Sequence, residues 1–165
     1  MGTPRDGRPS HRGAALTVST IPTKLARQQI AALRGKAKAS FLLAVEDIRR
    51  RGCAAAGVQL AGEALSGVCR LDLYGAWRLL TVFEDQNRCV VLMVAEHTRA
   101  ANPYRLLYSA LDIDEPEEPR TKPSCCDAEG QPPLDLDLVK RFELGLRDLG
   151  RTLPASTGTP VRRRR

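Results

Sequence analysis

Aromatic residues make up only 4% of this 165-residue chain, as one Trp, three Tyr and three Phe. That leaves little for a platform on which single-stranded RNA bases stack. Histidine is scarcer still: His11 and His97 are the only two. There is no P-loop, no dinucleotide-binding glycine motif and no HExxH, so nucleotide-triphosphate, dinucleotide and zinc-protease chemistry have no sequence support. Cys125-Cys126 has no CxxC partner, and a zinc site requires Cys53, Cys69 or Cys89 to converge on that pair. The expectation is no metal and no cofactor. No apolar run approaches the roughly 18 residues that cross a bilayer. The opening MGTPRDGRPSHRG lacks the apolar stretch of a secretory signal. A cytoplasmic protein with no membrane partner is therefore expected. The five cysteines are an odd number at irregular spacings, which fits reduced thiols better than a disulfide framework.

What the chain does have is positive charge in the wrong places for a uniform surface. The net charge is +7. Residues 1–60 hold 11 Lys/Arg against 3 Asp/Glu, and residues 151–165 hold 5 against none. Residues 113–150 reverse this, with 5 against 10. A basic first third and a basic tail suit a polyanionic partner, most simply nucleic acid. The bland reading is a solvated surface with a solubilising tail. The acidic stretch can be attracted to the basic part of its own chain.

Hydrophobic periodicity organises the middle of the chain. Residues 1–13 read as a disordered basic arm and residues 151–165 as a disordered basic tail. Residues 14–112 form the main domain. Ala14–Ser19 is a short apolar run that reads as a strand, and Thr20–Thr23 reads as a helix start. Leu25, Ala26, Gln29, Ile30 and Leu33 follow at helical spacing until Arg34-Gly35. Phe41, Leu42, Val45 and Ile48 line one face of a second helix, with Gly52 as its cap. Residues 53–67 read as a loop. The period then becomes two. Val68–Tyr74, Trp77–Glu84 and Arg88–Glu96 read as three antiparallel strands, the last apolar on both faces, as in mid-sheet. Asn102-Pro103 opens a further helix. Residues 113–134 read as an acidic, Pro-rich linker. Residues 135–150 read as a C-terminal amphipathic helix with Leu138, Val139, Phe142, Leu146 and Leu149 as its stripe. The expected fold is α+β: two N-terminal helices packed on a small antiparallel sheet, plus that C-terminal helix.

This order, and above all the stretch GAWRLLTVFEDQNRCVVLMVAEHTRAANPYRLL, resembles the RelE/ParE superfamily of toxins from type II toxin–antitoxin systems, with the flavour of an actinobacterial relative. The resemblance covers residues 14–112. It implies a RelE-like fold and a toxin-like protein acting as a ribosome-dependent endoribonuclease on mRNA, so that translation stops. The implied partners are mRNA, the ribosome and a cognate antitoxin. In such an enzyme the ribose 2′-hydroxyl attacks the adjacent phosphate, a base removes its proton, cations stabilise the crowded phosphate and an acid protonates the leaving oxygen. By resemblance, Arg78 after Trp77 is a phosphate contact, His97 a general acid or base, and Arg99 and Tyr104 complete the catalytic set. Arg70 is a second phosphate clamp, and Lys36 and Lys38 add an RNA-binding surface. Each has a structural alternative: a strand-edge ion pair for Arg78, a turn cap for His97, a core aromatic for Tyr104. Asp72 departs from the pattern, because a carboxylate repels a phosphate. It favours the alternative, a non-catalytic binding protein on the same scaffold, either a ParE-like gyrase inhibitor or an inactive relative.

Overall fold

The computed structural model describes residues 17–60, 65–116 and 123–152. The expected arm of residues 1–13 lies outside them, as does the tail from residue 153 onward. The architecture is α+β. Strand β1 (Ser19–Pro22) leads into helices α1 (Lys24–Ala32) and α2 (Gly35–Arg51), then a short 3-10 turn (Gly52–Ala55). Strands β2 (Val58–Gln59), β3 (Val68–Asp72), β4 (Trp77–Asp85) and β5 (Arg88–Glu96) follow, then helices α3 (Pro103–Leu111) and α4 (Leu138–Thr152). The five strands form one sheet in the order β1-β5-β4-β3-β2.

The three strands expected from the period-two region are present and antiparallel, as β3, β4 and β5. The sheet is mixed, because β1 adds to β5 in parallel. The first strand lies later than expected, at Ser19–Pro22, and the helix starts about one turn later than expected, at Lys24. Pro22 ends an edge strand, where its missing N–H costs no ladder bond. Thr23 is the true cap: its hydroxyl accepts from the Ala26 N–H at 3.1 Å and donates to the Leu92 carbonyl at 2.7 Å. One side chain thus starts α1 and fastens it to β5. Gly52 caps α2, as expected, with φ +60. The expected loop of residues 53–67 contains the 3-10 turn and β2.

The sheet has two covered faces. Ala26, Ala37, Phe41 and Ile48 of the helical hairpin bury Leu71, Leu79, Phe83 and Val91 on one side. On the other, α3 and α4 bury Leu80, Val82, Leu92 and Met93 under Leu107, Leu138 and Phe142. This explains why β5 is apolar on both faces. The stripe expected of the last helix is used in full: Leu138 and Phe142 are fully buried, and Val139, Leu146 and Leu149 pack beside them. Helix α4 begins at Leu138 rather than residue 135. Asp135 instead precedes it, and its carboxylate accepts from the Leu138 N–H at 2.9 Å. Gly145 lets α4 approach α3, since a Cβ there falls 1.6 Å from the Ala110 carbonyl oxygen.

The expectation of reduced thiols fails. Cys53 is bonded to Cys126 and Cys69 to Cys125. The linear spacing concealed this, because the partners lie 73 and 56 residues apart and only the fold brings them together. Cys89 is the one free thiol, buried, with its pKa pushed up to about 12 by loss of solvent. Among the described residues no helix is long and apolar enough to cross a membrane.

Candidate functional site

Strand β5 ends at Glu96, and seven residues later, at Pro103, the chain is helical. The turn between is tightly bonded. The His97 N–H donates to the Ala76 carbonyl at 2.8 Å, which ties it to the β3–β4 turn. The Thr98 N–H donates to the Ala101 carbonyl at 2.9 Å, and the Thr98 hydroxyl accepts from the Ala101 N–H at 3.0 Å. Asn102 then caps α3 by accepting from the Tyr104 N–H at 3.0 Å. The N-terminus of α3 contributes a partial positive charge here.

This turn builds a cleft of about 530 Å³ lined by His97, Thr98, Arg99, Asn102 and Arg105. His97 and Arg99 are both exposed at its mouth. The Tyr104 ring stands edge-on to the His97 imidazole, with centroids 5.0 Å apart. Its hydroxyl is buried and makes no hydrogen bond among the described residues. Tyr108, one turn on, has its pKa raised by burial, by Glu115 and by Tyr104. An imidazole, two guanidiniums, a hydroxyl and an amide around one concavity can bind an anionic oxygen and move a proton beside it.

Arg78 and Arg70 form a second cluster on the sheet. Asp72 and Arg78 are direct cross-strand partners. One Asp72 oxygen is shared by Arg78 Nε at 3.0 Å and Arg70 Nε at 3.1 Å. The Arg70 Nε–H is nevertheless not aimed well enough for a hydrogen bond. Arg78 Nη1 also donates to the carbonyls of Trp77 at 2.9 Å and Gly75 at 3.2 Å. Much of Arg78's donor capacity is therefore spent within the protein. In register it lies opposite Ala95 of β5, two residues before His97. Lys36 sits 5.2 Å from the centre of the Tyr74 ring, in the β3–β4 turn, and Lys38 is exposed on the same helix. Both belong to α2, which covers the opposite face of the sheet.

Of the residues singled out in the sequence, His97, Arg99 and Tyr104 come together, Arg70 and Arg78 pair through Asp72, and Lys36 and Lys38 stand apart. Thr98 and Arg105 were missed. Arg105 follows the Asn102 cap by three residues, so helical spacing already put it on the cap's side of the first turn. The acidic segment does reach this place: Arg105 Nε lies 3.7 Å from a Glu115 carboxylate oxygen, both side chains well exposed. Glu117 and Glu118 lie outside the described residues. No group of His, Cys, Asp or Glu suited to a metal ion occurs among the described residues.

No protein-family model matches the chain, and no curated protein matches it. Among solved structures it is similar to a chain in the crystal structure of the toxin–antitoxin complex RelBE2 from Mycobacterium tuberculosis. The identity is 24% and the TM-score 0.37, over 49% of this chain and 99% of that chain.

Proposed function

We propose that the chain is a toxin-like RNA-cleaving protein, with the cleft at the end of β5 as its reaction site. The observation that carries this reading is the convergence of His97, Arg99 and Arg105 on one cleft, with Tyr104 set against the imidazole. In this reading Arg99 and Arg105 hold the scissile phosphate, and their charge stabilises the extra negative charge of the pentacoordinate state. His97 moves the proton, and the Tyr104 ring fixes the imidazole's plane. Arg70 and Arg78 draw the RNA backbone across the sheet edge, weakened by Asp72. Lys36 and Lys38 add long-range attraction to ribosomal RNA. The substrate is mRNA on the ribosome, the compartment is the cytoplasm, and a cognate antitoxin silences the protein by covering the cleft.

One observation favours a second reading. Asp72 takes up both sheet arginines, which suits a protein that binds a partner without cleaving RNA. Expression in a bacterial host with primer extension on bulk mRNA separates the two. The nuclease reading expects slowed growth and discrete mRNA cuts. Arg99→Ala should lower cleavage by about 10²–10³, as for loss of one charge-stabilising group. Slowed growth with intact mRNA would favour the binding reading.

A further inference from the structure

Four of the five cysteines meet away from the cleft, where residues 123–137 strap the sheet. Pro123–Cys126 lies along the outer edge of β2. The Gln59 N–H donates to the Pro123 carbonyl at 2.8 Å, and the Cys125 N–H donates to the Gly57 carbonyl at 3.0 Å. The Gln59 side-chain amide adds bonds to the Ser124 carbonyl at 3.0 Å and the Cys125 carbonyl at 3.3 Å. Cys125 and Cys126 are adjacent, and the chain bends at them just after the Ser124 bridge to Val58. One reaches Cys69 in β3, the other Cys53 in the 3-10 turn.

Toward α4 the strap is tied by backbone contacts rather than burial: the Asp135 N–H donates to the Phe83 carbonyl at 3.2 Å, beside a bridge between Leu134 and Phe83. From Pro123 to Asp137, Cys125 is the one buried residue. The core on either side has its own apolar cement, in the helical hairpin and in α3 with α4. Cys69 and Cys125 are fully buried and Cys53 nearly so, while Cys126 is half-buried. Reductant therefore has one point of entry.

We propose that the two disulfides are a redox-operated clasp that closes the strap over the edge of β2 and opens when a dithiol reduces it. The thiolate of the dithiol attacks Cys126 Sγ, the bond to Cys53 breaks, and Cys53 leaves as a thiolate that takes up a proton. The second thiol of the reductant then displaces Cys126, closing the reductant's own disulfide. Each such exchange passes two electrons to the protein. Cys69–Cys125 follows by the same steps once the strap has lifted. Opening bares the backbone N–H and C=O groups of β2 along this edge. In a reducing cytosol the open form is favoured, and under oxidative stress the closed form. The proposal is independent of the cleft's chemistry.

The test uses the full-length oxidised protein, titrated with dithiothreitol under native conditions, alkylated and followed by mass spectrometry and hydrogen exchange. Cys53 and Cys126 should be labelled first, then Cys69 and Cys125, with Cys89 silent throughout. The amides of Gln59 and Cys125 should exchange at least about tenfold faster after reduction, while β4 and β5 keep their protection. Cys126→Ser should speed reduction of Cys69–Cys125 at a fixed dithiol concentration. Disulfides that resist native reduction would overturn the proposal, as would loss of β4 and β5 protection on reduction. So would a reduced strap that stays protected, including one held by stoichiometric Zn²⁺ measured on the same sample. An unchanged rate for Cys69–Cys125 in Cys126→Ser would overturn the order of opening. The titration of the unsubstituted protein decides the main claim whether or not that variant folds.

Discussion

Residues 68–111 supply three strands of the sheet and helix α3, while residues 123–137 run along that sheet, and different forces hold the two stretches in place. In the first stretch, side chains alternate between two apolar layers, and Leu79, Leu80, Val82, Phe83, Leu92 and Met93 are fully buried. In the second, the sulfur atoms and a few backbone hydrogen bonds do the fastening. Leu134 and Leu136 in that stretch stay exposed, at 55% and 66%. A periodic apolar pattern specifies its place by burial and resists perturbation. A Pro-rich acidic segment has no such pattern, so its place comes from covalent links to residues far off in sequence.

The contrast can be broken hardest in α4, the element the strap delivers to the core. Phe142 is fully buried against the α3-side layer. Phe142→Ala should cost about 3–5 kcal/mol of unfolding free energy, measured by chemical denaturation. A loss under 1 kcal/mol would mean that α4 is an appendage rather than core. The next effect belongs to Thr23, which both caps α1 and bonds to Leu92. Thr23→Ala should cost about 1–2 kcal/mol, with hydrogen exchange rising in the first turn of α1. Leu134→Ala, in the strap, should change stability by less than about 0.5 kcal/mol, as for exposed sites generally. A larger loss would put apolar burial into the strap after all.

The smallest expected effect is electrostatic. Asp47 accepts from Arg51 Nε at 2.6 Å on the exposed side of α2. That hydrogen bond, with the nearby charges of Arg51 and Arg50, holds its carboxyl below the ordinary value of 3.8. A pKa lowered by folding gives stability that is complete above the ordinary carboxylate range and lost as pH falls through the folded value. The stability difference between the protein and Asp47→Asn should therefore be constant near neutrality and shrink in acid below about pH 3.8. Because the pair is solvent-exposed, salt should reduce the difference further.

The same contrast explains what could be read in advance. The meander is visible as period two, α3 as Asn102-Pro103, the end of α2 as Gly52, and α4 as a stripe that the structure buries. These signals are local, acting within one turn or one strand. The parallel pairing of β1 with β5 depends on partners such as Ile21 and Val90 that are far apart in the chain. So does the convergence of Cys53 and Cys69 on Cys125-Cys126. At the candidate site the same limit applies. His97, Arg99 and Tyr104 were legible as residue types near the end of a strand. That Asp72 occupies Arg78 needs the cross-strand register, whereas Arg105 was within reach of helical spacing from the Asn102 cap.

The proposed reaction, cleavage of RNA through its 2′-hydroxyl at the cleft at the end of β5, leaves a chemical signature on the fragment ends. The most direct measurement is end-group analysis of ribosome-bound mRNA incubated with purified full-length protein, in parallel with His97→Ala. Fragments ending in a 2′,3′-cyclic phosphate with 5′-hydroxyl partners are expected, and far fewer of them with the variant. Intact mRNA, fragments carrying 5′-phosphates, or equal cleavage by His97→Ala would contradict it.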